Sequence, residues 1–370
     1  MKDLLTTLSG MKAGGRRLIG CFPLYPPLEL FHSFGLTPVV LWGMRDAVRD
    51  YATSDRHVQN YACQVARALT GFVIERGPGL FDELFMYNAC DTLRNLPEII
   101  AAGLKSGGAE LPLLRLHVPA LPEGRTGSRE YLRRRLRTLV ADLERFTGRP
   151  FSADAFAESL AIHERHRSLC RKVEALSAAG TVPSSVAAPL LERAHFMAVE
   201  DHTAMLEDMV SRSDSGARKA PGARVMVSKI QNPPAALLEV MDASGLTIAA
   251  NDIATLARSY GTSPAGSDPL DYYCSFYFDH YPCTTFLPAG DRRIELLRQR
   301  IRENNVRGLI VFAEKFCEYE YFELPYLQDT LKAEGVTTLF LELGADDLGN
   351  LMPFRTRIEA FADIVRDTRP

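Results

Sequence analysis

The run Arg307-Gly308-Leu309-Ile310-Val311-Phe312 decides the fold. After its first residue it is apolar without alternation, so both faces of an extended segment would be buried. That is the signature of a strand inside a parallel sheet, not of a half-exposed antiparallel one. Helix-length patterns flank it at residues 292–304 and 324–334, and Thr337-Thr338-Leu339-Phe340-Leu341 is a further strand. Upstream, residues 224–228 (RVMVS) and 246–250 (LTIAA) are two more, separated by a helical stretch at 234–244. Apolar strands alternating with helices predict a parallel sheet covered on both faces.

The same alternation opens the chain. Residues 17–22 (RLIGCF), 38–42 (PVVLW), 83–87 (ELFMY) and 113–118 (LLRLHV) are strands. Pro26-Pro27 starts a helix, since proline suits a first helical turn, and Gly35 caps its end. Residues 57–75 form a longer helix, with Val58, Tyr61, Val65, Leu69 and Phe72 on one side, and Arg76-Gly77-Pro78-Gly79 breaks it. Residues 92–102 are helical as well. Residues 127–214 carry almost only helical pattern, and 211–222 (SRSDSGARKAPG) form a polar linker. The expectation is two flavodoxin-like three-layer α/β domains with mostly parallel sheets, joined by a helical segment. The boundaries are 1–126, 127–222 and 223–370.

Composition narrows the function. With 46% hydrophobic and 24% charged residues and a net charge of −3, the chain has the balance of a water-soluble protein and no basic field for nucleic acid. Arg133-Arg134-Arg135 lies on a helix beside Asp142 and Glu144 and is a solvated face. No stretch reaches the roughly 18 apolar residues of a membrane span, and residues 1–5 lack the apolar core of a signal peptide. The expected compartment is the cytosol. There, seven cysteines are thiols rather than disulfides. Neither a Walker loop nor G-x-G-x-x-G after a strand is present, so nucleotide binding through those motifs is not expected.

Three of the cysteines carry the chemistry. Cys90, in Tyr87-Asn88-Ala89-Cys90-Asp91, and Cys317, in Glu314-Lys315-Phe316-Cys317-Glu318, both follow buried strands and precede helices. In open α/β sheets, ligands bind at the carboxyl ends of the strands. A thiolate there is favoured by the free N–H groups of the following helix. Cys63, in Tyr61-Ala62-Cys63-Gln64, falls within the first turns of its helix. Taken singly, each reads as a buried small hydrophobe. Two at matching strand ends in two domains favour a ligand role. Structural zinc fits poorly, because its ligands come in compact sequence clusters. Scattered cysteines can hold an iron–sulfur cluster.

These residues resemble the iron–sulfur subunits of 2-hydroxyacyl-CoA dehydratases and benzoyl-CoA reductases, over most of the chain. The resemblance begins at Gly20-Cys21-Phe22-Pro23-Leu24-Tyr25-Pro26-Pro27-Leu28-Glu29-Leu30 and passes through Cys63, Cys90-Asp91 and Asp268-Pro269-Leu270. It is strongest in the tail: Arg307 to Phe312, Lys315-Phe316-Cys317, Leu339-Phe340-Leu341-Glu342, and Phe354-Arg355-Thr356-Arg357-Ile358-Glu359-Ala360-Phe361. The resemblance implies that Cys63, Cys90 and Cys317 ligate one [4Fe-4S] cluster with one iron left open to a CoA thioester. It implies a lyase or oxidoreductase working by a radical mechanism. An ATP-hydrolysing iron–sulfur activator protein supplies the low-potential electron, and the chain pairs with a homologous second subunit as a heterodimer.

Other residues remain as alternatives. Some relatives hold a double-cubane [8Fe-9S] cluster as homodimeric small-molecule reductases, and Cys21, Cys274 and Cys283 would complete the six cysteines required. A non-catalytic partner subunit is a third reading. Cys274 and Cys283 flank the aromatic loop Ser275-Phe276-Tyr277-Phe278-Asp279-His280-Tyr281-Pro282, which could line an acyl pocket or simply pack. Glu29 is a candidate catalytic residue, against the plainer reading of helix-dipole compensation. Cys170 is structural. His163 and His166, three apart on a helix, form a wet face, and Asn232 is an N-cap.

Overall fold

The computed structural model describes residues 2–48, 51–119, 127–213, 222–280, 283 and 290–367. The chain divides into two compact units, each discontinuous in sequence. One comprises Met1–His166, Ala194–Asp201 and Thr262–Pro288, and the other Arg167–Arg193, His202–Gly261 and Ala289–Pro370. The linker at 214–221 and Tyr281-Pro282 lie outside the described residues.

In chain order the elements begin with α1 (Lys2–Ala13), β1 (Arg17–Phe22), α2 (Leu28–Ser33), β2 (Leu36–Val40), α3 (Gln64–Leu80) and β3 (Glu83–Tyr87). Next come α4 (Asp91–Arg94), α5 (Leu96–Ser106), β4 (Leu113–Leu116), α6 (Ser128–Thr147), α7 (Ala153–Ala178), α8 (Ser184–Glu192) and α9 (Val199–Ser213). Then follow β5 (Ala223–Lys229), α10 (Ala235–Ala243), β6 (Leu246–Ile253), α11 (Ala257–Tyr260), α12 (Pro269–Asp279) and α13 (Gly290–Glu303). Last are β7 (Gly308–Glu314), α14 (Glu318–Ala333), β8 (Thr337–Leu343) and α15 (Met352–Asp367).

Each unit holds one four-stranded sheet, ordered β2-β1-β3-β4 in the first and β6-β5-β7-β8 in the second. Every pairing is parallel. The α/β reading with flavodoxin-like sheets is therefore correct, and the two sheets share one strand order. That order reverses between β1 and β3, and again between β5 and β7. The crevice outside the carboxyl ends of such a strand pair is where open α/β sheets take ligands.

The central strands are apolar because both faces are covered. β3 and β7 are buried at every position. In the second unit Val225, Val227, Ile310, Phe312 and Leu341 pack against Leu237, Met241, Ile358, Phe361 and Val365. Met226, Leu309 and Val311 on the other face pack against Ile294, Leu297, Leu327 and Leu331. The tail string that carried the resemblance is α15, whose buried residues Phe354, Ile358, Phe361, Ala362 and Val365 recur every three or four positions. Gly308 lets α15 approach. A Cβ there would lie 2.7 Å from Phe361 Cζ and 2.8 Å from Val365 Cγ2. Gly308→Ala should therefore destabilise the fold by about 1–3 kcal/mol through overpacking, read as a lowered melting temperature; an unchanged melt would contradict this packing.

One buried group in the first sheet is unusual. Glu83 opens β3 beside Ile19 of β1 and is fully buried. Neither of its carboxylate oxygens has a hydrogen-bond partner among the described residues. Burial raises its pKa to about 8, against the lowering effect of Arg17 and with a further rise from Asp82. The folded state thus holds a proton that the unfolded chain releases near its ordinary pKa. Stability falls as pH rises from about 4.5 towards 8 and levels off above that. Glu83→Gln should remove that slope and gain about 1–2 kcal/mol at pH 8. Denaturant titrations of both proteins at pH 5 and pH 8 check it, and parallel pH slopes would refute it.

Several local expectations are corrected. The longer helix begins at Gln64, not His57, because a 3-10 turn at Ser54–Arg56 and a loop precede it. It also runs through Gly77-Pro78-Gly79 to Leu80, with Pro78 in its last turn, where it forgoes one backbone bond but little helix remains beyond it to kink. The aromatic stretch is helical up to Asp279, because the side chain of Asp268 caps α12 by accepting from the backbone N–H groups of Leu270 and Asp271, both at 3.0 Å.

Candidate cysteine ligands and their supports

The three cysteines share one local geometry: each is the residue immediately before a helix. Cys63 precedes α3, Cys90 precedes α4 and Cys317 precedes α14. Their carbonyls accept the first helical bonds, from Arg67 N to Cys63 O (3.1 Å), Arg94 N to Cys90 O (3.0 Å) and Tyr321 N to Cys317 O (3.3 Å). Cys63 is therefore at a helix boundary rather than within the first turns. Cys90 and Cys317 are partly exposed and Cys63 is buried. Cys63 and Cys90 belong to the first unit and Cys317 to the second. Within either unit, no three described His, Cys, Asp or Glu side chains meet to hold a metal ion. The donor set itself suits an iron–sulfur cluster: three unbridged thiols, each beside the N–H groups of a helix start.

Each cysteine has its own support. The loop before Cys63 is pinned by Arg67, whose Nε donates to Asp55 Oδ1 (3.1 Å) and Nη1 to Asn60 O (3.1 Å). The same guanidinium lies 4.6 Å from the centre of the Tyr51 ring. Before Cys90, Asn88 clamps the ends of β3 and β4. Its Nδ2 donates to Val118 O (3.0 Å) and its Oδ1 accepts from Val118 N (2.8 Å). Its neighbour His117 has a pKa lowered by burial, then by Arg135 and Arg94.

The support of Cys317 was not legible in the sequence. At the carboxyl ends of β5 and β6 lies a buried ionic network. Asp252 is held by Arg258 (3.0 and 2.7 Å), by Arg293 (3.1 and 2.7 Å) and by Ser228 Oγ (2.5 Å). Burial would raise the Asp252 pKa, but the two guanidiniums more than offset that and hold it well below the usual carboxylate range. Arg293 Nε pairs with Glu323 Oε1 (2.5 Å), and Glu323 Oε2 pairs with Lys229 Nζ (3.2 Å). Lys229 Nζ also donates to Glu320 O (3.0 Å). The Glu320 carboxylate accepts from Ile230 N (2.8 Å) and Glu314 N (2.6 Å). Asp252, Arg258, Arg293, Lys229 and Glu320 are each at most 1% exposed. Glu320 and Glu323 lie on the first two turns of α14, so the network fixes the helix that Cys317 begins.

The remaining candidates are packed. Cys21 Sγ donates to Ile19 O (3.6 Å), and burial pushes its thiol pKa up, against the lowering effect of a backbone bond with Val39. Cys274 Sγ faces Arg129 O (3.9 Å), and the Cys283 sulfur accepts from Tyr25 OH (3.3 Å). Glu29 is 2% exposed and accepts from Tyr272 OH (3.0 Å) and Tyr273 OH (2.7 Å), so it staples α2 to α12. His163 is buried against Ser159 O (2.8 Å) rather than on a wet face. Pro234, not Asn232, precedes α10, and Asn232 Nδ2 donates to Glu192 Oε2 (3.3 Å). Burial drives the Cys170 thiol far above its usual pKa, with Glu174 adding to the rise, as a structural role requires.

Comparison with known proteins gives this geometry its family. Residues 23–365 match the family described as 2-hydroxyglutaryl-CoA dehydratase, D-component. The chain belongs to that family. It is 26% identical over 367 residues to the beta subunit of (R)-2-hydroxyglutaryl-CoA dehydratase of Acidaminococcus fermentans, covering 97% of this chain and 95% of that protein. It is 26% identical over 361 residues to a benzoyl-CoA reductase subunit of Thauera aromatica (95% and 91%). It is 22% identical over 357 residues to the (R)-phenyllactyl-CoA dehydratase beta subunit of Clostridium sporogenes (95% and 93%). The resemblance read from the tail and from the first βα turn is borne out, and the enzyme type is that of 2-hydroxyacyl-CoA dehydratase and benzoyl-CoA reductase subunits. No helix among the described residues is long and apolar enough to cross a membrane.

Proposed function

We propose that this D-component family member is the iron–sulfur subunit of an activator-dependent 2-hydroxyacyl-CoA dehydratase or benzoyl-CoA-type reductase, with Cys63, Cys90 and Cys317 as the ligands of one [4Fe-4S] cluster. One observation carries the reading. Cys90 and Cys317 follow equivalent strands, β3 and β7, at the order reversals of two sheets with the same topology. When bound, such a cluster leaves one iron without a thiolate and supplies single electrons at low potential. The chain's own contribution is positional. Each candidate ligand is held at the residue immediately before a helix start. Arg67, Asn88 and the buried network hold the three loops still.

The named relatives are subunits of CoA-ester enzymes, which supports an acyl-CoA substrate and a homologous second subunit. The chain carries no Walker loop and no G-x-G-x-x-G after a strand, in keeping with ATP hydrolysis on a separate activator protein. A reducing cytosol suits ligand thiols. The packed state of Cys21, Cys274 and Cys283 favours a single cubane over the double-cubane alternative. The test combines the chain with its homologous partner, an ATP-dependent iron–sulfur activator and a panel of 2-hydroxyacyl- and aromatic CoA thioesters. ATP-dependent dehydration or ring reduction of a panel member is expected. Turnover that persists without ATP or activator would refute the reading.

A further inference from the structure

We propose that Lys229 and Glu320 are positioning residues for the Cys317 thiolate, and that the charges buried behind them lock the single helical turn that presents it. This rests on the reading of Cys317 as a cluster ligand. The turn is set by more constraints than a helix start needs. Phe316 enters it at φ 63, a left-handed conformation unfavourable for a bulky residue that persists only where the surroundings impose it. The backbone N–H groups of Glu320 (3.0 Å) and Tyr321 (3.3 Å) both donate to Cys317 O. The Glu320 carboxylate uses one oxygen for Ile230, just past β5, and the other for Glu314, the last residue of β7. These strands flank the order reversal of the sheet. A shift of Cys317 relative to that point breaks one of two charge-assisted bonds. Lys229 closes the arrangement from β5, holding the Glu320 carbonyl and the Glu323 carboxylate together.

Stability is a poor reason for such a cluster. Buried ion pairs give little net gain over well-packed apolar residues of the same volume, because desolvation offsets the attraction. What they do give is a single geometry, since every alternative leaves a buried charge unpaired. The network reaches from Asp252 of β6 through Arg293 and Glu323 to the first turns of α14, and it is aimed at the helix that carries the ligand.

The experiment compares the full-length parent with Glu320→Gln, Lys229→Met, Lys229→Arg and Cys317→Ala, purified without oxygen and checked for folding by thermal melts. Glutamine is isosteric but turns an N–H donor towards one of the two N–H groups the carboxylate serves. Three quantities are read: the rate of iron release to a chelator, the electron paramagnetic resonance line shape after reduction, and amide hydrogen exchange at Glu320 and Tyr321 in iron-free protein. Glu320→Gln and Lys229→Met should release iron at least about tenfold faster, change the line shape and speed exchange at those amides. Lys229→Arg should stay near the parent. Folded variants with parental release, spectrum and exchange would overturn the inference. If Lys229→Met fails to fold, Glu320→Gln decides alone. If Cys317→Ala keeps the parent's iron and spectrum, the ligand reading has failed, and hydrogen exchange still decides whether the network locks the turn.

Discussion

Cys90→Ala is expected to abolish the paramagnetic signal of the reduced protein and to strip its iron, while Cys170→Ala leaves both intact. The contrast follows from where the two sulfurs sit. Cys90 is partly exposed, follows the buried strand β3 and stands before the N–H groups of α4. Its partial exposure leaves the sulfur within reach of an inorganic partner. Cys170 is fully buried on α7, packed with Val173, Leu237 and Tyr260 in the core of the second unit. Ionising it there is strongly opposed by burial. With three thiolates per cluster, removing one leaves two irons without protein ligands, so the loss should be nearly complete rather than graded. Metal analysis and resonance spectra of both variants beside the parent decide it. An unchanged signal in Cys90→Ala would defeat its assignment as a ligand.

The second large effect belongs to Asp252. Asp252→Ala leaves Arg258 and Arg293, at 0% and 1% exposure, facing one another without their shared carboxylate. Removing one partner of a buried ion pair typically destabilises by about 3–5 kcal/mol, because the other charge stays buried and uncompensated. Glu323 still pairs with Arg293, which places the expected loss at about 3 kcal/mol. The pH dependence has a definite sign. Because the folded Asp252 pKa is depressed, its pairing stabilises fully above the ordinary carboxylate range. That contribution is lost only as pH falls towards the depressed value. Asp252→Ala should therefore be less stable than the parent at pH 7, with the difference shrinking as the medium is acidified. Denaturant unfolding at pH 7 and about pH 2.5 measures both. Parental stability at pH 7 would show that the network is not the buried, paired structure described.

The sheets were legible because strands buried on both faces must be apolar throughout. Gly308-Leu309-Ile310-Val311-Phe312 and residues 83–87 admit few other readings. The strand-to-helix positions of Cys90 and Cys317 were legible for the same reason, each following such a run by a few residues. Helix starts were less so. Pro325 drew the expected start of α14 several residues downstream, but α14 runs through it: the bond its missing N–H would have given is forgone, while Leu324, Leu327 and Leu331 stay buried around it. Likewise Val58 and Tyr61 fitted the periodicity of α3, yet they precede it, because Arg67 holds residues 55–60 in a loop. The ionic network was hidden for a different reason. Lys, Arg, Asp and Glu are usually solvated, and local sequence does not reveal that Arg293 of α13, Asp252 of β6 and Glu323 of α14 meet. The one available signal was charge at the ends of apolar strands, Lys229 after Val227-Ser228 and Asp252 after Ala249-Ala250-Asn251. Glu29 was read as either a catalytic group or helix-dipole compensation, and the two tyrosine hydroxyls on its buried carboxylate come from α12, far away in sequence.

The most direct test of the cluster assignment is an iron and acid-labile sulfide count on anaerobically purified protein, with the parent beside the variant in which Cys63, Cys90 and Cys317 are all alanine. The expected result is about four irons and four sulfides per parent chain, as one cubane requires, and close to none in the variant. Equal metal content in the two proteins, or a parent that holds no iron after anaerobic reconstitution, would contradict it.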